Sequence, residues 1–167
     1  MIFGRPGSGK STFASKLTKK FGLPLYHLDK YYYGANWVER NYEDFLDDQY
    51  AIVAQKDWIV DGNSVPSLHI RYSEADVCIY FNYPRLLCLW RLIKRNFMKD
   101  IFIQDRAEGC SEKLSWHLIS YMWTFEYRHN NYLVRRLKLL QEMYPQVKFY
   151  AVHDDQELRE VENKIFS

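Results

Sequence analysis

The sequence predicts an α/β fold in which a parallel sheet carries helices on both faces. Three observations lead there. Short apolar runs alternate with longer stretches whose apolar residues recur every three or four positions. The central runs, Trp58-Ile59-Val60 and Ala75 to Phe81, are nearly continuous in apolar residues, as strands covered on both faces require. Gly4, Asp29 and Asp61 each close a run. Ligands of such sheets bind at the carboxyl ends of the strands, so one shared site is expected there.

The elements follow in order. Only Met1-Ile2-Phe3 precede Gly4, so the first strand is short or the chain begins upstream. Phe13, Ala14, Leu17 and Phe21 space a helix that Gly22 stops. Leu23 to Leu28 reads as a second strand, interrupted by Pro24 and ending at Asp29. Lys30 to Arg40 is aromatic and reads as a loop. Tyr42, Phe45, Leu46, Ile52 and Val53 mark a helix running to about Ala54. Pro84 suits a helix start, and Leu86, Leu87, Leu89, Trp90 and Ile93 continue it. Residues 96–110 are irregular and polar. Leu114, Leu118, Tyr121, Met122 and Phe125 mark one further helix, and Leu133, Leu137, Leu140 and Met143 another. Val147 to Val152 is the last strand. Asp154 and Glu157 resemble a capping pair that opens a final helix. No repeat or linker divides the chain, so residues 1–167 are expected to form one domain, with a lid around 96–115.

Composition narrows the classes. Apolar residues are 47% and charged residues 26%, ordinary for a globular protein. Twenty-three basic residues nearly balance 21 acidic ones, giving +2, so no global electrostatic footprint for nucleic acid exists. Cys78, Cys88 and Cys110 have no zinc or redox spacing. Cys78 and Cys88 sit in apolar runs and read as buried hydrophobes. The odd count, with no signal peptide, points to a reducing cytoplasm. No apolar run approaches the ~20 residues that span a membrane.

The chemistry concentrates at Gly4-Arg5-Pro6-Gly7-Ser8-Gly9-Lys10-Ser11, which fits G-x-x-x-x-G-K-[ST], a phosphate-binding loop. Its glycines let backbone N–H groups turn inward as an anion cradle. The helix that follows adds its N-terminal N–H groups and dipole. Gly4, Arg5, Pro6, Gly7, Ser8, Gly9, Lys10, Ser11 and Thr12 are therefore the expected nucleotide-binding residues. Lys10 reaches the β- and γ-phosphates, and Ser11 ligates Mg²⁺. Asp61 closes an apolar strand, where a carboxylate that binds Mg²⁺ directly or through water belongs; Asp-Gly is also a common turn pair. Asp29 is placed to accept a proton from an acceptor hydroxyl or to orient it, the alternative being a cap or turn. His27 shares its strand face, but a lone His in an apolar strand is more often a core residue than a catalyst. Arg91 and Arg95, four apart on one helix, are candidates to stabilise the charge of phosphoryl transfer. Arg128 and Arg106 are candidates to close over the phosphates. Tyr31, Tyr32, Tyr33 and Trp37 suit either stacking on a ring or plain packing.

The order of these features resembles the adenylate-kinase-like P-loop kinases. The features are Gly4 to Ser11, His27-Leu28-Asp29, Trp58 to Asn63, Ala75-Asp76, and Arg91 with Arg95. More narrowly, the chain resembles small bacterial proteins called DNA topology modulation proteins. The resemblance implies a P-loop NTPase three-layer α/β/α fold with a five-stranded parallel sheet and a small lid. It also implies ATP, Mg²⁺ and phosphoryl transfer, with Arg91 and Arg95 flanking the lid and residues His153 to Gln156 near the adenine. Two departures argue against AMP as acceptor. Asn63-Ser64-Val65 replace an apolar residue and Pro-Arg after Asp61-Gly62, and the Asp29-to-Trp58 segment is short. The expected function is an ATP-dependent phosphotransferase acting on a small acceptor. The competing readings are a nucleotide-dependent DNA-associated regulator, with a basic face at Arg135, Arg136 and Lys138, and a plain NTP hydrolase.

Overall fold

The computed structural model describes residues 1–97 and 116–166. Five strands form one sheet: β1 (Ile2–Gly4), β2 (Leu25–His27), β3 (Ile59–Asp61), β4 (Val77–Phe81) and β5 (Lys148–Val152). Their order is β2-β3-β1-β4-β5, and every pairing is parallel. The helices are α1 (Lys10–Phe21), α2 (Leu28–Tyr32), α3 (Tyr42–Val53), α4 (Leu68–Ser73), α5 (Arg85–Phe97), α6 (Trp116–Met143) and α7 (Asp155–Phe166). Among the described residues, no helix is long and apolar enough to cross a membrane.

Strand alternation builds the layers. Successive side chains leave a strand on opposite faces. Ile2 and Ile79 pack on one face with Phe13, Ala14 and Leu17 of α1, Cys88 and Leu92 of α5 and Val161 of α7. Phe3 and Cys78 pack on the other with Leu68 and Tyr72 of α4 and Leu133, Leu137 and Leu140 of α6. A third cluster, Leu28, Phe45, Ile52 and Val60, seats α2 and α3 at the β2 end of the sheet. The expected three-layer sandwich is therefore present. The expected lid, residues 96–115, falls almost wholly outside the described residues, as do Cys110 and Arg106.

Four local expectations need correction. The second strand stops at His27, and Asp29 lies in the first turn of α2. The segment expected as a loop contains that helix and a 3₁₀ turn at Ala35–Trp37. A short helix, α4, precedes β4, and that strand starts at Val77 rather than Ala75. The two helices expected after residue 114 are one 28-residue helix. The capping pair is present in modified form. The Asp154 carboxylate accepts from the N–H groups of Gln156 and Glu157 (2.8 and 2.9 Å), whereas Glu157 reaches back to the N–H of His153 (2.8 Å).

Candidate functional site

The loop from Gly4 to Gly9 joins β1, the central strand, to the N-terminus of α1. Gly4 has φ +135°, and a Cβ there would lie 2.2 Å from the Phe81 carbonyl oxygen, so only glycine fits. Its N–H donates to Asn63 Oδ1 (2.8 Å), and the Arg5 N–H donates to the Phe81 carbonyl (3.0 Å). The loop is thus tied to both strands that flank β1. Lys10 Nζ donates to the Arg5 carbonyl (3.0 Å), folding the ammonium over the loop. Arg5 and Ser8 are buried, and the Ser8 hydroxyl has no hydrogen-bond partner among the described residues.

A cleft of about 560 Å³ opens beside the loop. Its walls hold loop and helix residues Gly7 to Phe13, part of α5, and one face of α7. Lys10, Lys16, Arg91, Lys94 and Arg95 line it, against the carboxylates of Asp155 and Glu162. Five cations facing two carboxylates across a helix N-terminus make a site for a polyanion. Trp90 also lines the cleft, half-exposed, with Lys94 Nζ 5.0 Å from its ring centroid. Arg91 is engaged. One terminal nitrogen donates to the Ser8 carbonyl (3.0 Å) and the other to both Asp155 oxygens (2.8 Å each). Tyr83 O–H donates to Asp155 Oδ1 (2.9 Å), and the Arg91 guanidinium lies 4.8 Å over the Tyr83 ring. Burial pushes the Cys88 thiol up, against the opposing pull of Arg5, Lys10 and Arg91.

Asp61 ends β3 beside Ile2 and is 4% exposed. His27 Nδ1 lies 3.1 Å from Asp61 Oδ2, as the β2–β3 register, which pairs these residues, requires. The other carboxylate oxygen is buried and has no hydrogen-bond partner among the described residues. That orphaned oxygen, one strand from the loop, fits a Mg²⁺ ligand or a ligand of its water. Among the described residues no set of three or more His, Cys, Asp or Glu gathers as a cage. Mg²⁺ needs none, being usually held by one or two carboxylates together with substrate phosphates and water.

The sequence-selected residues therefore divide. Gly7 to Thr12, Arg91 and Arg95 share the cleft. Gly4, Arg5 and Pro6 form the loop's base. Asp29, exposed in α2, stands on the β2 side of the loop, across β3. Arg128 lies within α6. Tyr32 packs on Phe45 with ring centroids 5.0 Å apart, which is core packing, while Trp37 is partly exposed. The basic face on α6 is weakened, because the Arg136 guanidinium is spent on the Pro66 carbonyl and His69 (2.8 Å each). Sequence reasoning missed Tyr83, named Asn63 only as a departure from the family pattern and Asp155 only within the stretch His153 to Gln156 implied near the adenine, and set His27 aside. Only His27 carried a local signal, its spacing of two from Asp29.

No family model matches the chain, and no curated protein matches it in sequence. Solved structures do. Shikimate kinase from Aquifex aeolicus vf5 superposes with a TM-score of 0.52 at 12% identity, covering 98% of this chain and 94% of that one. An uncharacterized protein from Eubacterium ventriosum ATCC 27560 gives 0.49 at 14%, covering 99% and 95%. A deoxyadenosine kinase from M. mycoides with bound dATP gives 0.43 at 15%, covering 99% and 97%. At such identities the likeness is one of fold. The five-stranded parallel sheet with helices on both faces is the fold that this chain shares with that shikimate kinase. The narrower resemblance to DNA topology modulation proteins finds no support among these matches.

Proposed function

We propose that the protein is an ATP-dependent phosphotransferase that moves the γ-phosphoryl group to a small acceptor. The observation that carries this reading is the cationic cleft beside the loop. Phosphoryl transfer needs positioning and charge neutralisation more than covalent help from the protein. Lys10, Arg91 and Arg95 supply positive charge, and the loop's N–H groups bind phosphate oxygens. Ser11 and Asp61 would hold Mg²⁺, which supplies further charge neutralisation on the phosphates when bound. His27 fixes one Asp61 oxygen and leaves the other for that role. Asp29, on the far side of the loop from the cleft, receives or orients the acceptor hydroxyl.

The test is ADP release from Mg·ATP, with and without a panel of nucleosides, nucleoside monophosphates and small hydroxylated metabolites. A strong rise with one acceptor, together with phosphate found on it, is the expected result. A flat response would leave hydrolysis as the activity. Lys10→Ala is expected to abolish turnover while the melting temperature stays near that of the wild type; undiminished turnover in that variant would sink the reading.

A further inference from the structure

The Arg91 guanidinium is held by more protein than a phosphate ligand requires. Asp155, at the start of α7, takes both hydrogens of one terminal nitrogen, and Tyr83, just after β4, holds Asp155 through its hydroxyl and Arg91 through its ring face. Tyr83 is fully buried, so it anchors from the core a pair whose carboxylate, Asp155, is more than half exposed. The other terminal nitrogen holds the Ser8 carbonyl. In a trans peptide the C=O and the following N–H point in opposite directions. A Ser8 carbonyl drawn to Arg91 therefore turns the Gly9 N–H away from Arg91. Gly9 has φ +98°, and such a glycine permits the peptide before it to flip cheaply. An anion cradle fails if one of its carbonyls turns inward.

From this geometry we propose that Tyr83 and Asp155 are positioning residues, which act through Arg91 to lock the Ser8–Gly9 peptide in its anion-binding orientation. The proposal rests on the reading that the cleft takes a polyphosphate. It also separates the two arginines of α5. Arg91 is committed to the loop. Arg95, one turn further along and lining the same cleft, makes no ion pair among the described residues, and is the guanidinium left to meet the transferring group.

Simple electrostatics gives the opposite sign to this mechanism, which makes it testable. Removing a carboxylate from a cationic cleft should strengthen anion binding, whereas loss of the lock should weaken it. The probes are Mg·ATP and inorganic tripolyphosphate, titrated calorimetrically into the full chain. Asp155→Asn is expected to weaken both by about tenfold or more and by a similar factor, because the lesion lies in the phosphate cradle. Arg91→Met should do the same, and the double variant should be no worse than Arg91→Met alone. Tyr83→Phe keeps the ring beneath Arg91 and should give a smaller loss in the same direction; it carries the test if Asp155→Asn does not fold. Tighter tripolyphosphate binding in Asp155→Asn would overturn the proposal. So would a loss confined to ATP, which would place Asp155 against the nucleoside, or losses that add in the double variant. The two readings fail separately. A chain that binds tripolyphosphate through this couple but phosphorylates no acceptor refutes the kinase and keeps the lock. A chain that phosphorylates an acceptor yet binds tripolyphosphate equally well in all variants does the reverse.

Discussion

Asn63 shows what a single residue contributes to the loop. Its side-chain oxygen accepts the Gly4 N–H, a donor that no strand pairing uses. Asn63→Ala leaves that donor half-buried without its partner, at a cost of about 1–2 kcal/mol. Urea denaturation should read that loss, together with weaker ATP binding; unchanged stability would show that water replaces the side chain. Buried acids set a second residue-scale expectation. Burial pushes the Cys78 thiol from 9.0 up to about 12, and the Tyr72 hydroxyl from 10.0 up to about 12. The folded state then keeps protons that the unfolded chain releases. Stability from these groups is whole below pH 9 and is lost as pH rises towards 12. Thermal melts should show this alkaline decline, with a shallower slope in Cys78→Val. Equal slopes would mean that the Cys78 thiol does not govern it.

Among the elements, α6 gives the sharpest contrast between pattern and structure. Its apolar positions recur through Phe125 and resume at Leu133, but Glu126 to Asn131 are mostly polar, so periodicity alone divides the helix. No glycine or proline lies in that stretch, and the backbone runs through it. Asn131→Pro distinguishes the two arrangements. In a continuous helix it should cost about 3 kcal/mol or more, read by urea denaturation; in a turn between two helices it would be nearly silent. Helix α4 was illegible for a different reason. Its six residues are too few for a 3.6-residue period to register, and Ser67 gives it no side-chain cap bond. Packing holds it instead, through buried Leu68, Ile70 and Tyr72. Arg71 is also buried, among Gln49, Ser64 and Ser67, with its guanidinium lowered by that burial to about 10. The longer elements with clean periodicity, α1, α3 and α7, matched their sequence patterns closely because each has one apolar stripe and a cap in sequence.

At the scale of the molecule, the same distinction separates what the sequence disclosed of the site from what it hid. The loop is a contiguous motif and was legible. Asn63, His27 and Asp155 act through partners 59, 34 and 64 residues away, which only the sheet order brings together. That order puts β1 at the centre, with α5 and α7 walling the cationic cleft on one side of the loop and Asp29 on the other, beyond β3. Under the proposed function, donor and acceptor should enter from opposite sides and meet over Lys10. Their kinetic signatures should separate in the same way. Lys16→Ala, in the cleft, is expected to raise KM for ATP several-fold with little change in kcat, since it removes binding common to ground and transition states. Asp29→Asn should lower kcat by about 10²-fold or more if the carboxylate takes the acceptor proton, while leaving the Kd for ATP unaltered. Initial rates over both substrates, with ATP affinity measured directly, check this. If Asp29→Asn weakened ATP as much as Lys16→Ala, Asp29 would belong to the donor side. If it left turnover intact, the acceptor hydroxyl would have to be oriented by another group on the β2 side.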